Sequence, residues 1–156
     1  MTRRHRFGSY IADNYDELID HPVEMGTFTL IRFDAHGVPH EMAITGNVPN
    51  LDGARLATDL KKICEHQIAL FEPASKRAPM DRYVFLTLAV GDGYGGLEHR
   101  ASTALICSRS ELPVKGQPAM SEGYRGFLGL CSHEYFHLWN VKRITSQAFA
   151  ESYLQE

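Results

Sequence analysis

The chain has 156 residues, 44% hydrophobic and 22% charged, with a formal net charge of −3 at pH 7. That is enough chain for one domain with a real core, and it excludes a disordered or fibrous protein. The mild acidity argues against nucleic acid or an anionic membrane as a partner, and no apolar run is long enough to span a bilayer.

The basic start, Thr2-Arg3-Arg4-His5-Arg6, reads as a solvated chain end, and residues 1–14 as flexible or flanking. No apolar signal-peptide stretch follows it. Cys64, Cys107 and Cys131 form no CxxC pair and no even-numbered framework, so they read as buried, reduced thiols of a cytoplasmic protein. There is no internal repeat or low-complexity segment. A single domain over 1–156 is expected.

Residues Tyr15 to Leu18 suit one helical turn, closed by His21-Pro22. Thr27 to Phe33 is rich in β-branched and aromatic side chains, Ala35-His36-Gly37 is a turn, and Pro39 to Thr45 is a second strand, which predicts a hairpin. Asp52 then caps an amphipathic helix whose stripe is Leu56, Leu60, Ile63, Cys64, Gln67, Ile68 and Phe71, stopped by Pro73. Glu65 and His66 are neighbours on it, so they diverge and make a poor ligand pair.

Arg82 to Val90 is nearly continuous apolar β sequence, as in a buried strand. Gly91-Asp92-Gly93-Tyr94-Gly95-Gly96 breaks it, and Leu97 to Cys107 reads as the next β run, with Glu98 and His99 at its head. Backbone of this kind approaches another chain closely, and a strand edge can hold an extended peptide. A loop with Pro113, Gly116 and Pro118 leads to a helix expected from about Ser121 through Ile144.

That helix contains His133-Glu134-Tyr135-Phe136-His137. Histidines four apart share a helix face and can converge on one cation, Zn2+ by preference. Glu134 lies about 100° around the axis from His133, beside the cation and not in competition for it. A carboxylate there can act as general base toward the attacking water. Phe127, Leu128, Leu130, Cys131, Tyr135, Phe136, Leu138, Trp139 and Val141 surround the motif on nearly every side, which predicts a buried helix. Imidazoles and a carboxylate inside such a helix are costly unless a metal satisfies them.

The stretch His133 to Ile144 resembles the active-site helix of the glycyl aminopeptidase family, metallopeptidases that usually carry a PDZ domain after the catalytic domain. Gly91 to His99 resembles that family's second signature, and Tyr15 to Gly26 its entry into the catalytic domain. The resemblance implies an α+β, thermolysin-like (gluzincin) fold: a mixed β-sheet packed against a long helix and the zinc helix. It implies zinc held by His133 and His137, Glu134 as catalytic base, and removal of N-terminal glycine or small residues from peptides. By analogy with aminopeptidase N proteins, Gly95, Gly96 and Glu98 would bind substrate, Glu98 through the free amine. His99 stands where those relatives have asparagine.

The resemblance also implies a third zinc ligand from a glutamate on a following helix. Eighteen residues separate His137 from Glu156, the spacing of thermolysin-like relatives outside this family. Ala148 to Glu156 instead resembles a family insertion, which places the ligand beyond Glu156 and makes 145–156 a truncated end. On that expectation the chain is the first part of a longer catalytic domain, inactive alone, with apolar surface around Phe136 and Trp139 open to self-association. The rival readings are a non-catalytic peptide-binding module of the same fold and a zinc endopeptidase.

Overall fold

A computed structural model of the protein describes residues 10–144. The expected first turn is α1 (Tyr15–Ile19), whose start is capped by Asn14 accepting from the Glu17 N–H. None of its residues is buried. The hairpin forms from β1 (Thr29–Ala35) and β2 (Val38–Thr45), antiparallel from Thr29↔Ile44 to Ala35↔Val38. Its turn residues both have positive φ, 48° at His36 and 78° at Gly37, the geometry that follows the right-handed twist of paired strands.

β2 also pairs in parallel with β3 (Tyr83–Val90), and parallel neighbours need a long crossover. It is supplied by α2 (Gly53–Phe71), capped by Asp52, whose side chain accepts from the Arg55 N–H. Leu56, Leu60, Cys64 and Ile68 form its buried stripe. Each such aliphatic side chain contributes about 1.5–3 kcal/mol by leaving water.

The glycine-rich region departs from expectation. Tyr94–Glu98 is itself a strand, β4, antiparallel to β5 (Ser102–Ser108), which in turn runs parallel to β3. The predicted run from Leu97 to Cys107 is therefore broken by a turn at 99–101, and Glu98 ends a strand where it was expected to open one. The sheet order is β1-β2-β3-β5-β4, so the two edges are β1 and β4.

The last helix, α3 (Glu122–Phe136), starts at the Ser121 cap and stops well before Ile144. Past His137 the chain tightens: Leu138 and Trp139 donate to carbonyls three residues back, and Val141 has φ 102°, which no helix continues through. The Arg143 side chain takes the freed Leu138 carbonyl at 2.8 Å.

The result is a two-layer α+β arrangement. α2 and α3 lie against the same side of the sheet, and the core between the layers joins Met42, Ile44, Phe85 and Leu105 to Leu60, Phe127 and Tyr135. On the opposite side of the sheet, Leu88, Leu97 and Ile106 are exposed. Trp139, expected at an open surface, is buried: it stacks on Phe71 at 4.8 Å, and its indole N–H donates to Glu72. Phe136 is half-buried against the same ring. Among the described residues no helix is long and apolar enough to cross a membrane.

Candidate functional site

His133 lies in the last turn of α3 and His137 caps it in helical conformation, so the four-residue spacing survives the early stop. Their Nε2 atoms approach to 3.0 Å. The His137 Nδ1 faces the Asn140 carbonyl at 3.0 Å and donates to it, which fixes the tautomer and leaves Nε2 with a lone pair. His133 then supplies the one proton between the two facing nitrogens. In a tetrahedral zinc site two such nitrogens stand about 3.3 Å apart, a small side-chain rotation away.

The environment of the motif differs from the predicted one. His133 is exposed and His137 half-buried, because Glu122, Arg125, Gly126, Gly129 and His133 share an uncovered helix face. The buried member is Glu134, 4% exposed, and its Oε2 has no hydrogen-bond partner. Burial pushes its carboxyl above the usual range; His133 and His137 pull it down and Glu98 pushes it further up.

Glu134 is wedged against β4. A Cβ on Gly96 would fall on its carboxylate, whereas a Cβ on Gly95 would meet nothing within 4 Å. A side chain at 96 would thus displace the Glu134 carboxylate, so the glycine there serves the contact with the helix and not a turn. The periodicity of the strand puts Glu98 on the same side as Gly96, at the end of the edge strand nearest α3. The structure therefore brings together His133, Glu134, His137, Gly96 and Glu98, and leaves Gly95 turned away.

The arrangement fits a divalent cation: two converging imidazoles, one with its proton held on the far nitrogen, and an orphaned buried carboxylate beside them. Among the described residues no group of three His, Cys, Asp or Glu side chains forms a metal cluster. Glu156 lies outside the described residues. The thiols take no part: all three are buried, and burial pushes Cys107 up to about 12.

Sequence reasoning missed Asn140, Asp20, Lys142 and Arg143, which act around the site. All four lie within the two stretches that resemble the family, but only tertiary proximity shows what they contact.

Residues 126–156 match the family described as M61 glycyl aminopeptidase. No curated protein matches the chain. The crystal structure of an aminopeptidase N family protein from Idiomarina loihiensis is 46% identical and superposes with a TM-score of 0.86, over 99% of this chain and 26% of that one. The chain thus spans about a quarter of that protein's length. Both findings bear out the resemblance to the glycyl aminopeptidases.

Proposed function

We propose that the protein acts as a zinc-dependent aminopeptidase of thermolysin-like architecture, removing N-terminal glycine or other small residues from peptides. The observation that carries the proposal is the placement of the unpartnered Glu134 carboxylate beside two Nε2 atoms 3.0 Å apart. Zinc held by His133, His137 and a further ligand would polarise the scissile carbonyl and acidify the attacking water.

The chain's own residues do the rest. Glu134 takes the water's proton on its carboxylate and hands it to the leaving amine, a role its place beside the paired imidazoles suits. The exposed edge of β4 aligns an extended peptide through its backbone groups. Glu98 accepts hydrogen bonds from the substrate's free α-ammonium, which makes the activity an exopeptidase one.

Two measurements on the full-length protein test this. Metal analysis of His137→Ala should find zinc lost, and unchanged stoichiometry would sink the ligand assignment. Hydrolysis of free-amine peptides should far exceed that of their N-acetylated forms; equal rates would indicate an endopeptidase.

A further inference from the structure

Three segments distant in sequence meet at one carboxylate, Asp20. It follows α1, and its side chain is only 12% exposed. Oδ2 accepts the backbone N–H of Arg100 at 2.9 Å. Oδ1 stands 3.6 Å from His99 Nδ1 and 3.6 Å from Lys142 Nζ.

The Arg100 carbonyl is held as well, by Arg143 at 3.1 Å, and the same guanidinium also binds the Leu138 and Pro79 carbonyls. The His99 N–H to Ser102 carbonyl bond, 2.9 Å, closes the turn. This is the turn that directly follows Glu98. Both backbone polar groups of its second residue are therefore fixed by side chains from α1's end and from the segment after α3.

His99 completes the cluster. It is 8% exposed, and the acidic oxygen facing Nδ1 draws the ring proton there, leaving Nε2 buried with no partner. Burial holds the ring neutral more strongly than Asp20 favours its charge. No imidazolium therefore stands next to Glu98 to compete for its carboxylate. Lys142 supplies the positive charge that a mostly buried Asp20 needs.

We propose that Asp20 is a positioning residue for amine recognition: by clamping the turn at Arg100 it fixes where Glu98 ends relative to His133, Glu134 and His137. This rests on the reading that Glu98 receives the substrate amine. Asp20 itself touches no substrate, so its loss acts through the placement of Glu98.

The test compares an aminoacyl anilide with the acyl anilide lacking the amine, using the full-length protein. Asp20→Ala should raise KM for the aminoacyl substrate about tenfold, change kcat little, keep zinc content, and leave cleavage of the acyl analogue unchanged. Asp20→Asn keeps an acceptor for the Arg100 N–H and should recover most of the KM. Lys142→Met should shift KM in the same direction by less.

Glu98→Ala is run in parallel to separate the two ideas. If it abolishes the preference for the amine while the Asp20 and Lys142 variants retain wild-type KM, the clamp is overturned and the amine reading stands. If Glu98→Ala keeps the preference, the amine reading fails and takes the clamp with it. Should Asp20→Ala not fold, Asp20→Asn and Lys142→Met decide: an unchanged KM in both overturns the proposal.

Discussion

Glu134 and Tyr135 are neighbours on α3, yet they enter two buried regions built on opposite terms. Tyr135 enters the core between helix and sheet, where it packs edge-on to Tyr83 at 4.8 Å and to Trp139 at 5.7 Å. There His40 has both ring nitrogens engaged: Nδ1 donates to the Val38 carbonyl at 2.8 Å, so Nε2 accepts from the Tyr135 hydroxyl at 2.9 Å. Glu134, one residue earlier, is almost as buried but carries an oxygen with no partner, against a strand where any side chain at 96 would displace it. The Tyr83 hydroxyl is also unpartnered, but a neutral phenol is far less costly to bury than a carboxylate. Where polar atoms are matched, the arrangement serves stability. Where a charge is buried unmatched, stability is lost, and the gain has to come from what binds there.

Substitutions on each side should break that contrast in different currencies. The largest effect is expected from Glu134→Gln, a loss of about 10²–10⁴-fold in peptide hydrolysis with zinc retained and the thermal melt unchanged or raised. Retained activity in a kinetic assay would return Glu134 to the structural side. Gly96→Ala should follow, at about 10²-fold, because its methyl displaces the Glu134 carboxylate. Gly95→Ala, with open space around its Cβ, should stay near wild type, and equal losses in the two would refute the steric argument.

On the matched side the cost moves from catalysis to folding. Tyr135→Phe strips the donor from His40 and should lower unfolding free energy by about 1–3 kcal/mol in a urea titration, leaving turnover nearly intact. The smallest effect is a pH dependence. Burial holds His40 below its ordinary 6.5, partly offset by its hydrogen bond to Val38 and by Asp34. As pH falls below about 6.5 the unfolded chain takes up the proton first, so stability present above that value is lost toward the lowered folded pKa. His40→Gln removes this titration and should show a flatter stability profile than wild type across that window.

Legibility in the sequence followed how local each cause was. α2 was readable because its cap, its stripe and its stop all lie within the segment from Asp52 to Pro73. The His36-Gly37 hairpin was readable for the same reason. The β4–β5 turn was not, because His99-Arg100-Ala101 has no glycine or proline; Asp20 and Arg143 hold it from far along the chain. The end of α3 was missed because the residues up to Ile144 keep an apolar pattern, while Arg143 and the Val141 backbone decide the stop. The site residues His133, Glu134 and His137 were visible from spacing. The burial of Glu134 was expected, but the exposure of His133 was not, since apolar residues around the motif hid the open face formed by Gly126, Gly129 and His133.

The strand order has a further consequence, for the sequence of events in which the molecule assembles. β1–β2 and β4–β5 are joined by short turns, so each hairpin closes a short loop and can form early. The parallel pairing of β3 with β2 brings together residues far apart along the chain, as His40 with Tyr83, whereas β3 and β5 partners such as Val90 and Ser108 are nearly as close in sequence as hairpin partners. By loop length alone, the docking of the β1–β2 hairpin onto β3 is the slow pairing of the sheet. The ion pair of Asp20 with Lys142 joins the two ends of the described segment, and such a long loop is costly to close early. A partly folded chain could therefore already hold the paired imidazoles on α3 while the strand end carrying Glu98 is still unfixed.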